Sequence, residues 1–335
     1  MKQFCLFFFS LLCCFAQAQT IVNIAGVPRD TSFTVHGTYV KEAKYRPYIQ
    51  IAQPEYSDNI EWYEGVTYSQ PTLGRELKLN VYRPKDDKEY PALLMVHGGG
   101  WASGDLSLQI PMAQKIAEKG YVTIPVEYRL SPEAMYPAAV YDLKTAVRWI
   151  RANADRYNID TTRIAVSGCS AGGQLAALIG TTNGQAAYEG CGEYMNYSSS
   201  VHAVINIDGS SDFTVPESID RVNADVAKGK RPAAVRWLGG TYSERKGNWI
   251  AASPVFHVTD KSAPICFINS SIPRFHDGRD EIVAELTKYS IFVEIYTIED
   301  TPHPFWLLHP WFDRTVMYIT GFLDKHLKTN INYIK

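Results

Sequence analysis

Beyond its first fifteen residues the sequence has no apolar run long enough to cross a bilayer, so no stable membrane insertion is expected. It also lacks a charge excess. Lysine and arginine number 33 against 35 aspartates and glutamates, a formal net charge of −2. No strongly basic surface therefore draws the chain toward nucleic acid. Cysteine is scarce, six in 335 residues, and Cys5, Cys13 and Cys14 crowd into the start. The other three, Cys169, Cys191 and Cys266, are odd in number and lack metal-ligand spacing, so no cysteine-held metal is expected; no organic cofactor is expected either. One disulfide stays open in an oxidising compartment, with Cys169–Cys191 the nearest pair in sequence; three buried free thiols is the reading taken here. Internal repeats and low-complexity linkers are missing too. The length suits one large α/β domain or two small ones.

What is present begins with a leader. Lys2, an apolar stretch from Cys5 to Phe15, and small residues in Ala16-Gln17-Ala18 match a secretory signal peptide over residues 1–18, cleaved before Gln19. A secreted or periplasmic protein is the expectation. Leu12 before Cys13 and Cys13 before Cys14 give no small residue ahead of a lipid-anchoring cysteine. Residues 19–74 are polar and rich in aromatics, and read as irregular lead-in with edge strands. Residues 75–335 form the main domain. Leu77, Leu79 and Val81 alternate as in a half-buried strand. Ala92 to Val96 is apolar throughout, as in a strand covered on both faces. Further strands are predicted over 121–128, 163–166, 203–207, 264–268 and 291–296. Helices are predicted over 110–119, 138–153, 174–179, 281–288 and 316–327. This alternation means βαβ units and a doubly wound, mostly parallel sheet. The stretch 212–249 breaks the rhythm and reads as an insertion above the sheet.

Gly168-Cys169-Ser170-Ala171-Gly172 lies between a predicted strand and a predicted helix. A nucleophilic serine perches on a tight turn there, and small neighbours at two residues either side avoid a clash. Ser170 is the candidate nucleophile. His97-Gly98-Gly99-Gly100-Trp101 follows another strand. Tandem glycines let backbone N–H groups reach a carbonyl oxygen, so Gly99, Gly100 and Ala171 are the candidate oxyanion donors. No Lys-Ser or Lys-Thr follows these glycines, which removes a phosphate-binding reading. His303, late in the chain and in a loop between two prolines, is the candidate base; His257, His309 and His326 read as packed residues.

Taken with Glu127 to Glu133, Tyr136 to Ala139, Arg148 to Ala154 and Ser167 to Gly173, these motifs resemble the hormone-sensitive-lipase-like branch of α/β-hydrolases. Within it they are most similar to bacterial acetylesterases and polysaccharide esterases, over about Leu77 to His326. The resemblance implies an α/β-hydrolase fold, a serine nucleophile, a histidine base and an orienting acid. The family's usual acid slot, after the 264–268 strand, holds Ile272 or Pro273. Asp280, at the expected start of a helix, is the acid chosen. Its competing role is a helix N-cap. Asp277 and Asp208 are the other candidates, and Glu299 and Asp300 are assigned to the His303 loop. A softer resemblance, through the Arg274 to Arg279 loop and the segment from His303 to Phe312, is to pectin-active esterases. It implies that Arg274 and Arg279 pair with a uronate carboxylate. Trp101, Trp306 and Trp311 would then face sugar rings. The competing reading, held level, is that these aromatics are core and the arginines make structural ion pairs. The expected activity is removal of acetyl or methyl esters from a plant polysaccharide such as pectin or xylan. A secreted peptidase and a non-catalytic carbohydrate-binding protein are the alternatives.

Overall fold

The computed structural model describes residues 21–24 and 26–328. The expected leader, 1–18, lies outside the described residues. Eight strands build the central sheet: β1 (Ile60–Thr72), β2 (Arg75–Pro84), β3 (Tyr90–Val96), β4 (Val122–Val126), β5 (Ile159–Cys169), β6 (Ala203–Ile207), β7 (Ile265–Asn269) and β8 (Val293–Thr297). Their spatial order is β8-β7-β6-β5-β3-β4-β2-β1. β2 alone runs opposite to the rest, antiparallel to both β1 and β4; β3 to β8 are all parallel. A doubly wound, mostly parallel sheet was the expectation.

The period-two geometry of a strand explains the apolar runs. In β3, Ala92, Leu94 and Val96 point into one core and Leu93 and Met95 into the other. The first core is closed by helices Ala138–Ala152 and Ala171–Thr181, the second by Ile110–Ala117 and Trp311–Leu323. Each fully buried Leu, Ile or Val side chain in these layers contributes about 1.5–3 kcal/mol. Arg129, just past β4, makes a bidentate pair with Asp142 of helix Ala138–Ala152 and fixes that loop. Burial pushes the Asp142 carboxyl upward, and the Arg129 contacts only partly offset it.

One departure from the expected pattern occurs. The lead-in holds a helix, Val35–Glu42, capped by the Thr34 side chain on the Gly37 N–H, besides short strands at Ile21–Ile24 and Val27–Asp30. The interruption expected at 212–249 is helical: Pro216–Ala227, Ala233–Leu238 and Tyr242–Ala251 lie between β6 and β7. Every parallel strand ends at the same edge of the sheet, which collects the loops after β3, β5, β6, β7 and β8. Crevices outside these strand ends are where open α/β sheets place ligands.

Candidate active site

Ser170 follows β5 and starts helix Ala171–Thr181. Its backbone is in a strained region, φ 55° and ψ −120°, and its N–H donates to Ile207 O at 2.7 Å. The flanking glycines are required by contact. A Cβ on Gly168 would lie 2.0 Å from Gly172 O, and one on Gly172 would lie 2.2 Å from Val96 O. The turn is thus pressed against its own helix and against β3, and the serine hydroxyl is pushed outward.

His303 sits in the loop after β8. Its Nε2 is 2.8 Å from Ser170 Oγ, and its Nδ1 is 2.8 Å from Asp208 Oδ2. Asp208 directly follows β6. The Asn206 side chain ties the turn by accepting from Gly209 N–H and donating to Gly209 O, and Asp208 takes φ 52°. Burial by itself would raise the Asp208 carboxyl. Its histidine neighbours and the hydrogen bond from Ser270 hold it below the ordinary value instead. Of these neighbours, His303 is the hydrogen-bonded one; His276 Nε2 stands at 3.5 Å from Oδ1. Burial lowers the His303 imidazole. Asp208 opposes that shift, Arg274 and His276 add to it, and the result lies below the usual 6.5.

The structure therefore corrects one assignment. Asp280 is in the first turn of helix Arg279–Lys288, with its side chain 77% exposed and paired to Arg279. It is not the N-cap either; that is Gly278. Asp277 is turned the other way, toward Ser218 and Arg221. Asp208 is the carboxylate that meets His303.

The glycine loop after β3 is tied down from below. Gly99 O accepts from the Ala102 and Ser103 N–H groups and from the Ser103 hydroxyl. Gly99 takes φ 119° and Gly100 φ 59°. Among the described residues, none accepts a hydrogen bond from the Gly99, Gly100 or Ala171 N–H, and Gly100, Ala171 and Ser170 border one cavity. His97 at the loop's start is a packed residue. It stacks on Tyr128 at 4.5 Å, and burial lowers its imidazole to about 4.

Two cavities meet at Ser170. The narrower, about 260 Å³, is bordered by Phe33, Leu108, Trp306 and the Asp30–Arg236 ion pair. The wider, about 360 Å³, lies between the insertion helices and the Arg274–Asp277 loop. Of the residues expected to touch substrate, Arg274 borders the wider cavity, and its guanidinium lies 4.7 Å over the Phe275 ring. Trp101 borders it too, but one ring face is stacked on Trp237 at 4.7 Å and its Nε1 donates to Gln174. Trp306 and Trp311 are buried; Trp306 borders the narrower cavity with only 4% of its surface exposed, and Trp311 borders neither cavity. Arg279 is taken up by Asp280 and Asn269. All three described cysteines are free; Cys169 and Cys266 are buried and Cys191 is exposed, so only two of the three thiols are covered as expected.

What this arrangement can do is pass a proton from a serine hydroxyl to a neutral imidazole whose tautomer is fixed by a carboxylate. Gly99, Gly100 and Ala171, whose N–H groups meet no acceptor among the described residues, border the cavities at Ser170. Among the described residues no cluster of potential ligands suits a metal ion.

Comparison with known proteins agrees with the geometry. A family model described as BD-FAE matches residues 79–284. Esterase LipC of Mycobacterium tuberculosis is 34% identical over 206 residues, covering 58% of this chain and 47% of that protein. The probable carboxylic ester hydrolase LipM of the same organism is 27% identical over 249 residues, 70% of this chain and 54% of that protein. The chain thus spans about half the length of these curated relatives. A bifunctional GH43-CE protein of Bacteroides eggerthii superposes with a TM-score of 0.67 at 25% identity, over 81% of this chain and 38% of that one. Esterase Est2 of Thermogutta terrifontis, with butyrate bound, gives 0.64 at 22% identity, over 80% and 94%. The sheet order and these superpositions make the fold that of an α/β-hydrolase.

Proposed function

The chain belongs to the BD-FAE family, and from that premise we propose that it is a serine carboxylester hydrolase. The carrying observation is the continuous relay from Ser170 Oγ through His303 to Asp208, at 2.8 Å and 2.8 Å. His303 takes the Ser170 proton as Oγ attacks the ester carbonyl. The oxyanion rests on the Gly99, Gly100 and Ala171 N–H groups. His303 then protonates the leaving alcohol, and water, activated by the same imidazole, releases the acid from the acyl-enzyme.

The substrate we assign is an acetyl or methyl ester on a plant polysaccharide such as pectin or xylan. The wide cavity beside Ser170 suits a sugar. Arg274, with no ion pair among the described residues, is available to a uronate carboxylate. The leader at 1–18 favours action outside the cytoplasm, with residues 75–335 as the catalytic domain. The test compares wild type with Ser170→Ala on acetylated pectin, acetylated xylan and p-nitrophenyl acetate. Acetate release by wild type alone is expected; equal release by both proteins overturns the reading. A peptide nitroanilide run alongside separates a peptidase.

A further inference from the structure

The loop after β7 holds Ile272 and Pro273 where the resemblance expects an acid, yet it packs closely on the relay. The Phe275 ring lies flat on the His303 imidazole, with centroids 3.4 Å apart and planes 10° from parallel. Trp306 meets the same imidazole edge-on at 5.1 Å and 90°. His276 stands behind Asp208. Hydrogen bonds to Ser170 and Asp208 pin the two imidazole nitrogens, but a ring held only there can still roll about the line joining them. A flat aromatic face stops that roll. It also keeps water off the imidazole, which disfavours the protonated form.

We propose that Phe275 is a positioning residue for the reaction, locking the plane of His303 so that Nε2 stays aimed at Ser170. This is the task the loop performs, the carboxylate having been supplied by the preceding strand end. The proposal rests on the ester-hydrolase reading above.

Groups of several elements bear on the protonation of His303. Asp208 after β6 favours the imidazolium, while Arg274 and His276 of the loop disfavour it. Asp30 and Arg236 border the cavity that His303 also lines, as a pair. Replacing Phe275 by a small residue keeps Asp208, His276 and the Asp30–Arg236 pair, removes the ring under the Arg274 guanidinium and admits water. The imidazole then moves up toward its ordinary value.

The experiment measures kcat, KM and the acid limb of kcat/KM on p-nitrophenyl acetate for wild type, Phe275→Ala, Phe275→Leu and Phe275→Tyr, with thermal melts to verify folding. Phe275→Ala and Phe275→Leu are expected to lose on the order of 10- to 100-fold in kcat with little change in KM, the scale of a misaligned catalytic group. Their acid limb moves upward in pH, and Phe275→Tyr restores both readouts. A folded Ala or Leu variant with wild-type kcat and an unmoved limb overturns the proposal. So does a Tyr variant no better than Leu. If Phe275→Ala does not fold, the Leu–Tyr comparison decides. Fluorophosphonate labelling separates the two levels: wild type that is neither labelled nor active sinks the hydrolase reading itself. A labelled, Ser170-dependent enzyme indifferent to Phe275 sinks only this inference.

Discussion

Asp208 is where residue-scale reasoning is most exposed. A carboxylate on Nδ1 fixes the tautomer that leaves Nε2 free to accept the serine proton, so losing it costs far more than losing a surface charge. Asp208→Asn is expected to lower kcat by about 10⁴-fold. Asp280→Asn, at an exposed side chain, should change it by no more than about twofold. Steady-state kinetics on one ester decide; equal losses in the two variants would return the acid to the β7 loop. The pH profile carries a second expectation. His303 is held below 6.5, mainly by burial, and the base must be neutral. Hence the acid limb of kcat/KM should have its midpoint below 6.5. An acid limb above 6.5 contradicts this. Ser170 and His303 were readable because steric spacing and chain order constrain them locally. Asp208 stood only as an alternative to Asp280, beside Asp277, because its meeting with His303 is decided by which strand ends beside which. The available signal was Asn206-Ile207-Asp208-Gly209. An apolar strand closing on Asn, Asp and Gly marks a tight reversal, and Asp tolerates the left-handed backbone found there.

At the scale of elements, the strand–turn–helix around Ser170 works because two backbones touch. Gly168→Ala puts a methyl 2.0 Å from a carbonyl oxygen of the following helix, and neither β5 nor the helix has room to yield. The expected cost is at least the upper part of the overpacking range, about 3 kcal/mol, read as a lowered melting temperature together with lost activity. A Gly168→Ala protein with wild-type melting and turnover would show that the turn relaxes freely. The strands were legible because runs such as Ala92–Val96 are apolar on both faces. Helices were less so. Ala171–Thr181 is buried at every position, so no 3.6-residue pattern marks its start, and the sequence predicts helix only over 174–179. Val35–Glu42 fails in the opposite way. It has no buried residue at all, and its visible mark is the Thr34 cap.

For the molecule as a whole, the question is how residues before the family match come to border the site. The match begins at residue 79, yet Asp30 and Phe33 line the narrower cavity. Asp30 N–H donates to Ala102 O, at the end of the glycine loop, and its carboxylate accepts from Ser32 N–H and from Arg236 Nη1 at 2.8 Å. Arg236 belongs to the insertion helix Ala233–Leu238. One buried residue thus joins the lead-in, the glycine loop and the insertion around Ser170, the loop through its N–H and the insertion through its carboxylate. Burial would raise it, but the Ser32 and Arg236 hydrogen bonds leave it below the ordinary 3.8. A carboxyl depressed in the folded state stabilises above its unfolded value, and that stability is lost as pH falls through the folded one. At neutral pH, then, removing one partner leaves the other unpaired, with side chains only 1% and 16% exposed, at a cost of about 3 kcal/mol. Arg236→Ala and Asp30→Ala should each lower the denaturation midpoint, while the double variant should be much less destabilised than their sum. A coupling on the order of 1–3 kcal/mol is expected from groups in direct contact. Additive losses would mean that the lead-in rests on the site without being clamped there.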